Sequence, residues 1–269
     1  MPTLKLPRMG FGTWKLKDKD CVKGVLKALE MGYRLIDTAQ IYGNEREVGV
    51  ALAEKTVDRK DFLLATKIWV TKLRPENVKT SAAQSLLKLQ TEYVDILYVH
   101  WPAWQYNAKK TLLAFANLVD EGKVKYIGVS NFGPKLCDEA IAVCPKPIVV
   151  NQIETHPLLQ QRIMRDYLKQ HDMYLVAYSP LARGHIREVP TVVDIAKKHK
   201  ASPNQVSLAW LMHHGAIPIP KATSESHIQD NFGAQDLHLD PEDIAQIDNI
   251  KEEKRFVNLP RFLFPKKFK

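Results

Sequence analysis

The feature that most constrains the fold is a repeated alternation of short apolar runs with helical patterns. Eight such runs occur along the 269 residues. Most are continuously apolar rather than alternating, which is typical of strands buried on both faces of a parallel sheet. Each run is predicted to be a strand, and together they cover residues 9–13, 33–38, 62–68, 94–100, 125–130, 147–152, 174–179 and 216–220.

Helix-start signals stand between several of these runs. Asn44 followed by Glu47 fits an N-cap with its reciprocal partner. The segment Ser202–Gln205 and the pair Asp240-Pro241 fit a cap followed by proline at the first helical position. Apolar residues at helical spacing predict a further helix over residues 20–31.

Eight strands alternating with helices within about 250 residues favour a (β/α)8 TIM barrel. No linker or compositional break divides residues 1–269, so we expect one domain, with the tail at 261–269 packed down as an extension. A doubly wound sheet is the competing architecture and would require a glycine fingerprint after the first strand. Gly10-Phe11-Gly12 starts like one, but the third glycine is missing.

Charge and cysteine usage limit the class of protein. The net charge of +9 suits either a nucleic-acid binder or a site for an anionic cofactor, but the basic residues are scattered, which argues against nucleic acid. Cys21, Cys137 and Cys144 lack metal-type spacing and indicate a reducing compartment. No apolar run predicts a signal peptide or a membrane span. We therefore expect a cytoplasmic protein without a membrane or nucleic-acid partner, and nothing in the sequence requires more than a monomer.

Titratable side chains stand where neighbouring predicted strands end. The second, third and fourth runs end near Asp37, Lys67 and His100, and Tyr42 lies in the loop after the second run. Each alone has an ordinary structural reading, such as a cap or a core histidine, but strand carboxyl ends form the active-site face of a barrel, so the four are expected to converge. Asp37 would balance the charge of Lys67. An ammonium beside a phenol lowers the pKa of the phenol, which would make Tyr42 a general acid, and an imidazole can orient a carbonyl oxygen. The pattern predicts protonation of a carbonyl oxygen, with a hydride donor as the other reactant.

Over essentially its whole length the chain resembles the aldo-keto reductase superfamily. The resemblance is carried by many motifs in order, of which any one alone would be weak. They are Gly10-Phe11-Gly12-Thr13-Trp14, Tyr33-Arg34-Leu35-Ile36-Asp37-Thr38-Ala39, Tyr42-Gly43-Asn44-Glu45, Thr66-Lys67-Ile68-Trp69, His100-Trp101-Pro102, Ile127-Gly128-Val129-Ser130-Asn131-Phe132, Asn151-Gln152-Ile153-Glu154, His156-Pro157, Tyr178-Ser179-Pro180-Leu181 and Ile219-Pro220-Lys221.

The resemblance implies an NAD(P)H-dependent reductase of aldehydes or ketones, without a metal, whose catalytic residues are Asp37, Tyr42, Lys67 and His100. Tyr42 would donate the proton, Lys67 paired with Asp37 would lower the pKa of Tyr42, and His100 would orient the carbonyl. It also implies a set of cofactor-binding residues: Gly12, Thr13, Trp14, Asp37, Ser130, Asn131, Gln152, Tyr178, Ser179, Leu181, Lys221, Thr223, His227 and Asn231. In this set Ser130, Asn131 and Gln152 would hold the carboxamide and Tyr178 would stack on the nicotinamide. Trp14, Trp69 and Trp101 follow predicted strands and would form an aromatic substrate pocket.

Three departures from the family pattern affect what the resemblance predicts. The segment before Met9 is too short for the N-terminal hairpin of the family, and the cofactor-covering loop after Tyr178 is abbreviated. The Lys-Ser…Arg pattern for the 2′-phosphate has become Lys221-Ala222…His227. We therefore expect NADPH to be preferred by a reduced margin and NADH also to be used.

Two alternatives differ in class. The first is a non-catalytic, cofactor-sensing auxiliary subunit on the same fold, as in potassium-channel β subunits of this superfamily. The second is an unrelated barrel enzyme with a metal at His100, which is disfavoured because no second strand-end histidine accompanies it.

Overall fold

The structure is a computed structural model that describes residues 4–54 and 57–258, and it contains one eight-stranded parallel sheet. All eight predicted strands are confirmed, whereas the extension predicted at 261–269 lies outside the described residues. The strands are β1 (Phe11–Gly12), β2 (Leu35–Asp37), β3 (Leu63–Ile68), β4 (Val94–Val99), β5 (Val124–Ser130), β6 (Ile148–Glu154), β7 (Tyr174–Tyr178) and β8 (Ala216–Pro218).

Helices follow the strands in the alternating order expected of a barrel. Among the described residues they are α1 (Asp18–Glu30), α2 (Glu45–Glu54), α3 (Pro75–Lys88), α4 (Ala108–Asp120), α5 (Pro134–Val143), α6 (Arg162–Gln170), α7 (Pro190–His199), α8 (Pro203–His213), α9 (Glu225–Gly233) and α10 (Pro241–Asp248). The core between strands and helices is built from buried aliphatic and aromatic side chains of both layers. The single-domain (β/α)8 barrel is therefore confirmed.

The helix starts follow the sequence signals closely. Ser202 caps α8 with Gln205 as its reciprocal partner, and Asp240 does the same for α10. α2 begins directly after Asn44, but the Asn44 side chain also links loops: its amide donates to the carbonyl oxygens of Thr13 and Leu16. That bond network fixes the loop after β1 at the end of the barrel where the candidate site lies.

The ring of strands closes between β8 and β1. The backbone N–H groups of Gly10 and Gly12 donate to the carbonyl oxygens of Pro218 and Pro220 at 3.0 and 3.1 Å. A Cβ atom at Gly12 would lie 2.6 Å from the carbonyl oxygen of Ile219, so only glycine allows this approach. The glycine pair that resembled the start of a dinucleotide fingerprint therefore also has a structural role at this seam.

The floor of the barrel is covered by the short N-terminal segment, which forms no strand over residues 4–9. The Leu4 side chain is buried among Leu35, Val176 and Ile217 inside the barrel. The Tyr174 hydroxyl donates to the Leu4 carbonyl oxygen at 2.9 Å. Residues 4–9 thus form no strand, and Leu4, with Leu6 partly buried beside the same cluster, packs against the inner side chains of the barrel.

Within residues 4–54 and 57–258, no helix combines the length and the apolar character that a membrane crossing requires. The thiols of Cys21, Cys137 and Cys144 are all free.

Candidate active site

A cavity of about 500 Å³ opens at the carboxyl ends of the strands, and we call it the mouth cavity. Residues in or directly after each of the eight strands contribute to its wall. The wall consists of Gly12, Thr13, Trp14, Lys15, Asp37, Ile41, Tyr42, Trp69, His100, Trp101, Asn131, Gln152, Tyr178, Ser179, Pro180, Leu181, Arg183, Gly184, Ile219, Pro220, Lys221 and Val257.

The four residues predicted to converge do so around one buried ammonium. Asp37 is the last residue of β2, Lys67 lies near the end of β3, and His100 follows β4 directly. Tyr42 ends a 3-10 turn, Gln40–Tyr42, that follows β2. Lys67 is behind the cavity wall, since its side chain is fully buried, while the other three line the cavity.

Lys67 and Asp37 form a buried ion pair. The Lys67 ammonium donates to Asp37 Oδ1 and, at 2.9 Å, to the carbonyl oxygen of Thr38. Gln152 Nε2 donates to Asp37 Oδ2 at 2.8 Å, so both carboxylate oxygens are bonded. Burial raises the pKa of Asp37 and lowers the pKa of Lys67, and the attraction between the two charges opposes both shifts.

The Tyr42 hydroxyl lies 3.4 Å from Lys67 Nζ. Burial, assisted by the negative charge of Asp37, raises the pKa of Tyr42 well above its ordinary value. The expectation that Lys67 lowers this pKa is therefore wrong for the structure as it stands. The physical reason is that Asp37 already balances the ammonium, so desolvation of the phenolate dominates. Tyr42 is consequently a protonated phenol.

His100 packs beside the two aromatic side chains nearest to it in the cavity. Its ring meets those of Tyr42 and Trp69 edge-on, with centroids 5.9 and 5.1 Å apart. Burial, together with the nearby charge of Lys67, lowers the pKa of His100 well below its usual range. Nδ1 is buried and has no hydrogen-bond partner among the described residues. The imidazole is therefore neutral and carries one N–H.

A chain of side-chain amides and hydroxyls borders the cavity beside His100. Tyr178 donates its hydroxyl to Asn131 Oδ1 at 2.7 Å, and Asn131 Nδ2 donates to the His100 carbonyl oxygen at 3.1 Å and to Ser130 Oγ at 3.0 Å. Asn131 adopts a left-handed backbone (φ 65°) that turns it toward the barrel mouth. Ser130 is buried behind Asn131 and does not line the cavity.

The remaining predicted cofactor residues divide into two groups. Gly12, Thr13, Trp14, Ser179, Leu181 and Lys221 line the cavity, as do the pocket residues Trp69 and Trp101. Thr223, His227 and Asn231 do not. Thr223 and His227 are exposed, and Asn231 is buried with Oδ1 unpartnered among the described residues. Glu225 forms an ion pair with Lys27 of α1 at 2.6 Å, so its charge is balanced.

These features fit a nicotinamide dinucleotide. The cavity wall includes the aromatic and imidazole groups near Trp69 as well as the cation Lys221, and Asn231 Oδ1, outside the wall, is a buried acceptor without a donor among the described residues.

Several residues of the wall were not expected from the sequence. Lys15 and Arg183 lie over the ring of Trp14, at 4.6 and 4.7 Å from its centroid. Val257 comes from the segment after α10. Arg183 and Val257 belong to no motif and enter the wall only through tertiary contacts, whereas Lys15 directly follows a matched motif and could have been noticed.

A metal-type cluster exists away from the cavity. His199, Asp240 and Asp243 bring ligand atoms within 4.8 Å of one another. The ammonium of Lys198 lies 2.6 and 2.8 Å from the two carboxylates, so this group is an ion-pair network joining α7 to α10.

Comparison with known proteins agrees with this fold. The Aldo/keto reductase family model matches residues 8–252. The chain is 39% identical to the 9,11-endoperoxide prostaglandin H2 reductase of Trypanosoma cruzi (strain CL Brener), over 98% of this chain and 94% of that protein. It is 40% identical to the methylglyoxal reductase DkgB of Escherichia coli O157:H7, over 97% of this chain and 99% of that protein. The structure of MGS-M4, an aldo-keto reductase from a Medee basin deep-sea metagenome library, matches with a TM-score of 0.91 at 37% identity, covering 95% of both chains.

The family match and the named reductases among the relatives identify the protein as an oxidoreductase on a (β/α)8 barrel. The chain belongs to the aldo/keto reductase family. The family uses nicotinamide cofactors, and the relatives are named reductases. The non-catalytic auxiliary subunit is therefore not supported.

Proposed function

We propose that the mouth cavity is the active site of an NADPH-dependent reductase that converts aldehydes or ketones to alcohols. The observation that carries the proposal is the position of Lys67 Nζ, bonded to Asp37 and 3.4 Å from the Tyr42 hydroxyl, with His100 on the same wall. Relatives named for prostaglandin H2 and methylglyoxal reduction support a carbonyl or related oxygenated substrate.

Tyr42 acts as the general acid. Because its pKa is raised by burial, the phenol keeps its proton until the carbonyl oxygen gains negative charge. The bound cofactor supplies the hydride for the carbonyl carbon. As Tyr42 gives its proton to the carbonyl oxygen, the adjacent Lys67 ammonium stabilises the phenolate that forms. Asp37 holds Lys67 in place.

His100 orients the substrate. Its lowered pKa keeps the imidazole neutral, so its single N–H can donate to the carbonyl oxygen without competing with Tyr42 as an acid. Trp14, Trp69 and Trp101 give the cavity an apolar, aromatic wall, which excludes water from the reacting groups. We therefore propose that the substrate has an apolar or aromatic portion.

The cofactor is held by side chains along the cavity and beyond it. Ser130, Asn131 and Gln152 hold the carboxamide, with Ser130 acting through its bond to Asn131. Tyr178 would stack on the nicotinamide ring, Ser179 and Leu181 would contact the pyrophosphate, and Gly12, Thr13 and Trp14 would complete the cofactor-binding wall. Lys221, Thr223, His227 and Asn231 hold the phosphorylated ribose and the adenine. Lys221 favours NADPH, and the lack of a fixed guanidinium at His227 leaves NADH usable.

We further propose that residues 1–269 act as one catalytic domain in a monomeric cytoplasmic enzyme. The free thiols of all three cysteines support a reducing compartment.

The test is Tyr42→Phe, which removes the hydroxyl and keeps the ring. With NADPH and benzaldehyde, kcat is expected to fall at least about 100-fold, in the range typical of general acid catalysis. The Kd of NADPH, measured by quenching of protein fluorescence, is expected to stay within about twofold, since the proton is needed only in the transition state.

Tyr167→Phe is the matched control. It removes a hydroxyl that bonds Asp138 at the protein surface, far from the cavity, and should leave kcat unchanged. A Tyr42→Phe enzyme that kept more than about a tenth of wild-type kcat would remove Tyr42 as the general acid.

A further inference from the structure

Glu154 is a fully buried carboxylate that the proposed chemistry does not use. It is the last residue of β6, and its side chain is 0% exposed. Its Oε1 accepts the backbone N–H of Phe256 at 2.8 Å, and its Oε2 accepts that of Val257 at 3.0 Å. Arg255 approaches Oε2 at 3.9 Å. A buried carboxylate is tolerated where N–H donors and a cation surround it, as here.

The residues 254–257, which we call the strap, are fastened by this carboxylate across the barrel mouth. The Lys254 N–H donates to the Leu158 carbonyl oxygen at 2.7 Å. The Phe256 ring packs between His156 and His185, stacked on His185 at a centroid distance of 4.8 Å and an angle of 13°. The strap therefore bridges the loops after β6 and β7.

The bonds to Glu154 decide where Val257 lies. Val257 is part of the mouth cavity wall, and its N–H is bonded directly to Glu154. The strap has no helix or strand of its own to hold it. The backbone of Val257 is therefore held by the side chain of Glu154, which belongs to the sheet.

We propose that Glu154 is a positioning residue that determines substrate selectivity by holding Val257 against the cavity. Through the strap it favours carbonyl compounds whose apolar portion is large enough to reach Val257, and it has no effect on small ones. This inference depends on the mouth cavity being the substrate site proposed above.

The experiment compares Glu154→Gln with the wild type. Glutamine keeps the size of the side chain but replaces one acceptor by an NH2 group that faces a backbone N–H. Loss of a charge-assisted hydrogen bond predicts a rise of about tenfold in KM for 2-naphthaldehyde and of less than about twofold for propanal. Cleavage by trypsin after Lys254 and Arg255 should also become faster, which reports on the strap without any catalysis. Glu121→Gln, at an exposed carboxylate paired with Lys79, is the matched control and should change neither readout.

A double-mutant cycle separates positioning from a general loss of stability. If Glu154 acts through Val257, then Val257→Ala raises KM for 2-naphthaldehyde alone, and adding Glu154→Gln to it raises KM little further. Equal losses with both aldehydes, or effects that simply add, would overturn the proposal.

Hydrogen exchange of the wild-type protein gives a test that needs no variant. The amide protons of Phe256 and Val257 should exchange at least about tenfold more slowly than those of Glu252 and Glu253, because bonded amides exchange only on local opening. Equal rates would contradict the anchoring by Glu154.

If no carbonyl compound is reduced, the proposed function fails, whereas the exchange and trypsin results still test the anchoring by themselves.

Discussion

Replacing Lys67 by methionine removes the ammonium from a buried ion pair and leaves the Asp37 carboxylate behind. The two side chains are 0% and 2% exposed, so water cannot compensate the remaining charge. Breaking a buried pair in this way costs about 3–5 kcal/mol of the free energy of unfolding. For a chain of 269 residues, whose unfolding entropy is about 2.1 cal/mol/K per residue, that corresponds to a fall in Tm of roughly 5–9 °C.

The loss should depend on pH, and its sign follows from the shift of Asp37. Burial raises the pKa of Asp37, and without Lys67 nothing charged opposes that rise. The folded variant then holds a proton that the unfolded chain releases, so the free energy of unfolding increases as the pH is lowered. Between the ordinary aspartate pKa of about 3.9 and the raised value, the loss of unfolding free energy should grow by up to about 1.4 kcal/mol for each unit by which the pH rises.

Scanning calorimetry of the wild type and Lys67→Met at pH 5 and pH 7.5 measures both effects. Lys79→Met is the matched control, because Lys79 pairs with Glu121 on the surface, where an ion pair contributes about 1 kcal/mol or less. Adding Asp37→Asn to Lys67→Met should recover much of the lost stability, since no charge remains buried. A Tm for Lys67→Met equal to that of Lys79→Met at both pH values would refute the burial argument.

Two further predictions concern the substrate and the cofactor. Trp101→Ala is expected to raise KM for aromatic aldehydes by about tenfold and for short aliphatic ones much less, because a large apolar contact is lost. Trp104→Ala, at an exposed tryptophan outside the cavity wall, is the control, and equal effects of Trp101→Ala on both substrates would assign Trp101 to the core. His227→Arg is expected to tighten NADPH binding by about tenfold without changing NADH binding, since a fixed guanidinium pairs with phosphate. An unchanged ratio of the two Kd values would show that His227 does not touch the 2′-phosphate.

The barrel was predictable from sequence because its strands are buried on both faces. Runs such as 62–68 and 94–100 have no polar face to confuse with a helix, and they match β3 and β4 within one residue. The ends of the shortest strands were not predictable. β1 has only two residues, because the chain around Gly10 is bonded across the seam rather than in a longer ladder.

The candidate site was predictable where position along a strand decides it. Asp37, Lys67 and His100 converge because strand carboxyl ends meet at one end of a barrel. The pKa of Tyr42 was not predictable from the sequence. It depends on how deeply the phenol is buried and on how closely Asp37 pairs with Lys67, and the sequence gives neither. Glu154 was noticed only as part of a motif, because its partners lie about one hundred residues further along the chain.

The seam between β8 and β1 joins the two ends of the sheet with few backbone hydrogen bonds. Both of its hydrogen bonds are donated by glycines to carbonyl oxygens at Pro218 and Pro220, and prolines have no N–H to return. Among the described residues the join therefore has two backbone hydrogen bonds, both donated from the β1 side. Gly12 and Pro220 lie on opposite sides of the join, and both line the mouth cavity. A molecule bound in the cavity would contact both sides of the join. Its binding free energy would therefore stabilise the closed barrel.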